Sequence, residues 1–122
     1  DAANPSKYFG PEPEHTWCYY FEKAELARQF NDWEEVLHNY ESATSAGYTA
    51  LQPSENLVFI EALARLGNAK KAGQLTDSAI SQDRKLCKAL VSTWERALEA
   101  STDINTEARK RIETLNDMPE CR

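Results

Sequence analysis

The strongest constraint on this sequence is a repeat of 36 residues that carries both turns and apolar positions. Turns between predicted helices fall at Asn31, Gly67 and Asp103, each 36 residues after the last. The same step relates two sets of mostly small residues: Val36, Ala72 and Ala108, and Ala43, Ala79 and Leu115. A single helix hairpin cannot bury its apolar face, whereas stacked copies share one continuous core. The repeat therefore predicts a short stack of helix hairpins.

Apolar residues recur at intervals of three and four through most of the chain, which is the period of an amphipathic helix. Glycine is scarce, with four in all, and the five prolines lie outside the periodic segments. This composition disfavours a mainly β fold. The predicted fold is all-α: a right-handed α-solenoid of about three antiparallel helix hairpins, six helices in total, at residues 14–47, 53–82 and 84–116.

The ends of the chain differ from this helical region. Residues 1–13 hold three of the prolines, and Pro11 and Pro13 prevent an earlier helix start. We expect residues 1–13 to form an irregular lead-in or linker and residues 117–122 to fray. Within the helical region, Asp32 with Glu35 matches a capping box for the second helix, and Ser54 is the predicted N-cap of the third.

The first two hairpins share a pattern of small and aromatic residues around the turn. In the first hairpin the pattern is carried by Ala24, Ala27, Asn31, Asp32, Trp33, Val36, Tyr40 and Ala43. In the second it is carried by Leu63, Gly67, Asn68, Ala72, Leu75 and Ala79. This pattern resembles that of tetratricopeptide repeats, whose usual length is about 34 residues. The resemblance covers about residues 14–116 and implies a solenoid that binds proteins or peptides on its concave face.

The third copy is degenerate in its first helix. Trp94 and Ala97 fit the repeat pattern only if Ser101 and Thr102 are an insertion. We interpret the third hairpin as a capping unit of the stack.

A second resemblance concerns the segment from Pro11 to Ala24, PEPEHTWCYYFEKA. It resembles the soluble C-terminal repeat region of large bacterial integral-membrane proteins, some of them similar to lipid-linked-sugar glycosyltransferases. The resemblance implies that this chain is the soluble part of such a protein and lies beside a parent membrane domain. It implies no catalysis within these residues.

The repeat alignment places the first helix of each hairpin along the concave face. The partner-binding residues predicted there are Phe21, Glu22, Glu25, Arg28, Gln29, Leu57, Val58, Glu61 and Arg65. The best-known tetratricopeptide mode holds a terminal carboxylate with lysines, arginines and asparagines, and the glutamates here do not match it. We therefore expect a protein or peptide partner of mixed or basic charge. The alternative is that charges such as Glu25 and Arg28 pair along their own helix and bind nothing.

A cluster of aromatic residues occupies one turn of the first helix: Trp17, Tyr19, Tyr20 and Phe21. Side chains at positions 17, 19, 20 and 21 are spread round most of a helix, so at least one must face away from the core. Tyr19 lies off the apolar stripe and is predicted to contact the lead-in near Tyr8 and Phe9, or a neighbouring domain. These three residues form a possible docking surface. They favour the alternative function, a structural accessory domain that makes intramolecular or homo-oligomeric contacts.

The cysteine pattern leaves the redox state open. Cys18, Cys87 and Cys121 are odd in number and widely spaced, so they form no closed disulfide framework. A single Cys87–Cys121 bridge is compatible with the sequence, but we expect free thiols.

Charge and motif content argue against several other functions. The net charge of −6 disfavours nucleic acid, which requires a basic surface. No apolar run is long enough to insert in a bilayer. His15 and Cys18 are spaced to share a metal, but two ligands are too few for a zinc site. No nucleophile elbow, phosphate loop or metal-helix motif is present. We therefore predict a non-enzymatic protein with no cofactor and no metal.

Overall fold

The computed structural model describes residues 15–122, apart from the side chain of Thr102, and this part of the chain is helical with no β-strand. It contains six α-helices: α1 (Trp17–Gln29), α2 (Trp33–Ser45), α3 (Leu57–Arg65), α4 (Ala69–Gln82), α5 (Cys87–Ala100) and α6 (Asn105–Asn116). Helix α1 packs on α2, α3 on α4, and α5 on α6. The predicted all-α fold of three helix hairpins is confirmed. Residues 1–13, predicted as a lead-in, lie outside the described residues.

The first two hairpin turns have the same backbone geometry. Asn31 and Gly67 both adopt a left-handed conformation, with φ of 56° and 90°. The residue that follows each of them donates its N–H back to α1 or α3, Asp32 to Ala27 O at 2.9 Å and Asn68 to Leu63 O at 2.8 Å. These bonds close the end of one helix at the point where the next one starts.

The second helix of each of these hairpins is capped by the same kind of contact. Asp32 Oδ1 accepts from Glu35 N, and Asn68 Oδ1 accepts from Lys71 N, both at 3.2 Å. The third hairpin differs, because a short 3₁₀ turn, Thr102–Ile104, precedes α6 and the N-cap residue of that helix is Ile104, which has no side-chain acceptor. The repeat is therefore close between the first two hairpins and looser in the third, as the sequence predicts.

The 36-residue step marks buried positions in all three hairpins. Val36, Ala72 and Ala108 have no exposed surface, and the second set, Ala43, Ala79 and Leu115, is also buried. Small side chains at these places let neighbouring helices approach closely. The architecture is thus helical and repeat-like, with the repeat expressed in its core packing.

Helix α3 lies at the centre of the described structure. It packs against α2, α4 and α5, and more lightly against α1, and every residue from 58 to 64 is buried. One side of α3 gives Phe59 to the core shared with α1 and α2, whereas Ile60 and Leu63 enter the core shared with α5 and α6. The ring of Phe59 lies 5.0 Å from that of Tyr40 and 5.4 Å from that of Trp17, measured between centroids.

The start of α3 is organised by Glu55 rather than by Ser54. A 3₁₀ turn, Pro53–Asn56, leads directly into the helix. Glu55 Oε1 accepts from the backbone N–H groups of Leu51 and Gln52 at 2.9 and 3.0 Å. The same oxygen accepts from Trp17 Nε1 at 3.0 Å, so this loop is tied to α1. The prediction that Ser54 caps the helix is wrong. The 3₁₀ turn begins at Pro53, before Ser54, and the side chain that accepts the backbone N–H groups there is the Glu55 carboxylate.

The C-terminal residues are fixed to the start of α5. Pro119–Cys121 form a 3₁₀ turn, and Cys121 is joined to Cys87 by a disulfide with Cα atoms 5.3 Å apart. The Arg84 guanidinium donates to both oxygens of Glu120, at 2.8 and 3.0 Å. The predicted free thiols at Cys87 and Cys121 and the predicted frayed end are both corrected. Cys18 is free and exposed.

The Arg84–Glu120 pair responds to pH in a defined direction. The hydrogen bond from Arg84 lowers the pKa of the Glu120 carboxyl below its ordinary value. A depressed pKa stabilises the folded state above the unfolded-state pKa, and this contribution is lost as the pH falls through the lowered value. Since the pair is exposed to solvent, the disulfide is the stronger of the two constraints at this end.

Replacement of Cys121 by serine is expected to destabilise the domain by about 3 to 4 kcal/mol. The reason is that the bridge closes a segment with a sequence separation of 34, and its loss restores conformational freedom to the unfolded chain. The measurement is the free energy of unfolding in urea at neutral pH.

Cys18→Ser is the matched control and should change this free energy by less than about 0.5 kcal/mol, since Cys18 is exposed. The unmodified domain in a strong thiol reductant should unfold like the Cys121→Ser variant. Equal stability of Cys121→Ser and the unmodified domain under oxidising conditions would contradict a structural role for the bridge.

Candidate partner-binding groove

A groove of about 400 Å³ runs between α1 and α3 and is closed at one side by Arg96 of α5. Seven of the nine predicted partner-binding residues line it: Phe21, Glu25, Arg28, Leu57, Val58, Glu61 and Arg65. The structure adds five residues that were not predicted: Asn31, Trp33, Ser54, Glu55 and Arg96. The predicted residues of α1 and α3 therefore share one groove, and residues of the first hairpin turn, α2, the turn before α3 and α5 complete its lining.

Glu22 and Gln29 do not line the groove, and both are exposed. On α1 the spacing of Phe21, Glu25 and Arg28 places these three residues on one face. Glu22 and Gln29 each follow a groove residue by one position, which rotates them towards solvent. The predicted concave face of α1 was therefore too wide.

Glu61 is the buried charge of the groove. It lies within the apolar run of α3, and only 4% of its surface is exposed. Its Oε2 accepts from Arg65 Nε at 2.8 Å, and its Oε1 accepts from Arg96 Nε at 3.2 Å and Nη2 at 3.0 Å. Both carboxylate oxygens thus have charged donors, which compensate the loss of hydration on burial.

Arg65 is held by two contacts on different helices. Its Nε donates to Glu61, and its guanidinium carbon lies 4.6 Å from the ring centroid of Trp33 on α2. The side chain is 23% exposed. Within residues 15–122 its two Nη atoms make no hydrogen bond to protein, whereas its Nε does. The guanidinium is thus positioned before any partner arrives and keeps a donor edge unused.

Trp33 also has an unused donor in this region. Its Nε1 is buried and has no hydrogen-bond partner among the described residues, although the ring itself lines the groove. Buried donors without partners are uncommon in folded proteins and require an explanation. The sequence pattern assigned Trp33 to the apolar stripe of α2, and nothing in its spacing indicated a polar role.

The remaining charged residues of the groove, Glu25, Arg28 and Glu55, all make hydrogen bonds within the described structure. Arg28 Nε donates to Glu25 Oε2 at 3.2 Å, in a pair that is more than one-third exposed on both sides. This contact is the helical pairing that the sequence offered as an alternative to ligand binding. Exposed pairs of this kind contribute little to stability and rearrange easily. Glu55 is held by its three hydrogen bonds at the start of α3.

The apolar part of the groove consists of Phe21, Leu57 and Val58. Phe21 and Leu57 are half-buried, and Val58 is buried. This wall can contact an apolar side chain of a partner. It is too small to bind a partner by apolar contact alone.

Among the groove residues that sequence reasoning missed, Arg96 matters most, because it is the second arginine that pairs with the buried Glu61. One signal was present, because a glutamate within the apolar run of α3 needs a charged partner when it is buried. The i+4 residue Arg65 supplied an obvious partner. The second partner comes from the next hairpin, and helical periodicity within a single helix does not indicate contacts between hairpins.

A second exposed feature lies on another side of α1. His15, Tyr19, Lys23, Leu26 and Phe30 follow one another at intervals of three and four, and we call them the α1 outer stripe. Tyr19 is half-buried and stacks on His15 with 3.8 Å between ring centroids. Leu26 and Phe30 are 56% and 75% exposed. Tyr8 and Phe9, predicted to form a docking surface with Tyr19, lie outside the described residues.

The part of the chain that the structure describes holds neither a metal-binding cluster nor a membrane-spanning helix. Within residues 15–122, no three His, Cys, Asp or Glu side chains are grouped so that they could hold a metal ion. No helix in that range combines the length and apolar character needed to cross a membrane.

Comparison of the chain with protein-family models, with curated proteins and with solved structures gave no match.

Replacement of Glu61 by glutamine is expected to lower the free energy of unfolding by about 1 to 3 kcal/mol. The amide removes the charge that pairs with Arg65 and Arg96, while the side chain keeps its size. The measurement is urea unfolding at neutral pH.

Glu25→Gln is the matched control, because it removes a carboxylate from an exposed pair on the same groove and should cost about 0 to 1 kcal/mol. If both variants lose the same stability, the buried ion pair does not hold α3 to α5.

Proposed function

We propose that this domain is a non-catalytic protein–protein interaction or scaffold module of the tetratricopeptide-like type, which binds a partner segment in the groove between α1 and α3. The observation that carries this proposal is the combination of an apolar wall with prepositioned arginines in one groove. Binding sites for peptides commonly combine a few apolar anchors with a small number of fixed polar groups. A right-handed solenoid built from these hairpins would present this groove on its concave face.

A partner of mixed charge fits this groove better than a purely basic one. The basic partner was predicted from Glu22, Glu25 and Glu61. Glu22 lies outside the groove lining, and Glu61 is buried between two arginines. Only Glu25 remains as an exposed carboxylate of that set. A mixed-charge segment could use Glu25 together with the arginines.

The charged groups of the groove favour binding over catalysis. The hydrogen bonds of Glu25 and Glu61 join them to guanidinium groups, and arginine has too high a pKa to serve as a general base. General acid–base catalysis requires a pair of groups whose protons move near neutral pH. Nucleic acid remains a poor candidate because the chain carries a net charge of −6.

A steric block of the groove tests the proposal. The domain is used to select binders from a random display library of dodecapeptides, and the affinities of the selected peptides are measured by fluorescence anisotropy. Ser54→Trp places a bulky ring at an exposed position in the groove lining and is expected to weaken binding about tenfold or more. Ser81→Trp is the matched control on the exposed part of α4 and should leave binding unchanged.

Two outcomes would overturn the proposal. One is a selection that enriches no peptide above background. The other is a set of selected peptides that bind Ser54→Trp as well as they bind the unmodified domain.

The second candidate function is a structural accessory domain of a larger bacterial membrane protein. The exposed Leu26 and Phe30 favour it, because the outer face of a terminal hairpin is where a further hairpin or domain would stack. The contact would be intramolecular or homo-oligomeric and would use the α1 outer stripe. It would not require the groove.

Thiol labelling separates this second candidate from the first. In a Cys18→Ser background, Phe30→Cys is introduced into the isolated domain and into the longer parent protein that this candidate requires. Coverage of the α1 outer stripe would slow maleimide labelling of the new thiol roughly tenfold in the parent. Lys110→Cys, exposed on α6, is the control and should react equally in both. Equal labelling of Phe30→Cys in both contexts would exclude this docking mode.

A further inference from the structure

We infer that the groove recognises an acidic side chain of the partner segment, received by Arg65 and Arg28 beside the apolar wall of Phe21 and Leu57. This inference rests on the proposed function and makes it more specific. Its basis is the balance of hydrogen-bond donors and acceptors among the charged groups that line the groove.

Each carboxylate that lines the groove already accepts at least one hydrogen bond. Glu61 uses both oxygens on arginines, and Glu55 Oε1 accepts from three N–H groups. Glu25 accepts from Arg28. A basic side chain entering the groove would have to compete with one of these internal donors.

The arginines are in the opposite situation. Arg65 and Arg28 each donate through Nε, and within residues 15–122 their Nη atoms make no hydrogen bond. Arginine has five N–H donors, and its two Nη groups match the two oxygens of a carboxylate. Among the described residues, the four Nη atoms of these two arginines thus outnumber the unbonded carboxylate oxygens of the groove, which are Glu25 Oε1 and Glu55 Oε2.

Arg65 is the better positioned of these two residues. Its Nε contact with Glu61 and its stacking on Trp33 fix the plane of the guanidinium. An acid that binds the Nη edge therefore costs little additional ordering of this side chain. Arg28 lies on the more exposed side and can leave Glu25 to make a second contact.

Trp33 supplies an independent indication of a missing acceptor. Its buried Nε1 has no partner among the described residues, and its ring lines the groove beneath the Arg65 guanidinium. A partner oxygen that reaches this N–H beside Arg65 would satisfy the one buried side-chain donor that the described structure leaves unpaired.

The total charge of the groove favours a carboxylate over a phosphate group. Three arginines and three glutamates line it, so the formal charges cancel. A dianionic phosphate would meet the repulsion of the nearby glutamates, whereas a single carboxylate is matched by one guanidinium fork. The apolar wall then places an aliphatic or aromatic side chain next to the acid in the partner sequence.

The amino-acid composition of the peptides selected from the dodecapeptide library tests this inference. Peptides that compete for the groove are expected to share an aspartate or glutamate within a few positions of an apolar residue. One such peptide is then synthesised with blocked ends. Its amide analogue carries asparagine in place of the aspartate, or glutamine in place of the glutamate. The analogue should bind about tenfold more weakly, and the difference should shrink at high salt.

Protein variants assign the contact to the arginines. Arg28→Gln and Arg65→Lys should each reduce affinity for the acidic peptide about tenfold and leave affinity for its amide analogue nearly unchanged. Arg65→Lys keeps a positive charge next to Glu61, and its urea midpoint is measured to show that the fold is retained. Arg109→Gln, an exposed change on α6, is the control and should affect neither peptide.

The outcomes distinguish the inference from the proposed function. Selected peptides that compete for the groove but are neutral or rich in lysine and arginine overturn the acidic specificity and leave the groove as a binding site. Equal affinity of the domain for the acidic peptide and for its amide analogue would likewise overturn the acidic specificity and leave the groove as a binding site. Failure to select any groove-binding peptide overturns both.

Discussion

The burial of helix α3 is the constraint on which the rest of the described structure depends. Only nine residues long, it contributes to both hydrophobic cores, with Phe59 on one side and Ile60 and Leu63 on the other. Such a helix must be apolar around most of its circumference. The helices of the first and third hairpins are then positioned by their packing against this one segment, and the groove lies where α1 and α5 leave part of α3 open.

The single acidic residue in that buried run determines the electrostatics of the groove. Glu61 cannot be solvated, so its charge requires guanidinium partners, and these come from its own helix and from α5. The ion pairs link the second hairpin to the third and also fix the two arginines at the groove. A residue that the sequence assigns to ligand binding thus becomes a structural anchor that positions Arg65 and Arg96 at the groove.

Sequence reasoning succeeded where one helix or one turn contains the whole signal. The 36-residue step placed Ala72 and Ala108 in the core, and the Asn31 and Gly67 turns follow from left-handed backbone preference. It failed where the partner lies in another element. The Cys87–Cys121 bridge depends on how the C-terminal turn folds back, and the contact from Arg96 to Glu61 depends on how two hairpins stack. Neither distance is encoded in local periodicity.

The same distinction explains the errors within the groove. Glu22 and Gln29 were included because the helical face was drawn too wide on one side, and each lies one position after a residue that lines the groove. Trp33 was assigned to the apolar stripe because a period of three and four does not reveal whether an indole N–H has a partner. The loop before α3 was assigned by a local capping rule, whereas Glu55 is held there by a long-range bond from Trp17 on α1.

The placement of the two exposed features on α1 allows both proposed functions to operate together. Phe21, Glu25 and Arg28 face the groove, whereas Leu26 and Phe30 lie on the α1 outer stripe, on a different face of the same helix. A parent domain or second copy stacked on the outer stripe would leave the groove open. It would also restrain α1, which forms one wall of the groove, and a restrained wall reduces the ordering that a partner must cause on binding. Docking through the stripe would therefore strengthen peptide capture in the groove rather than compete with it.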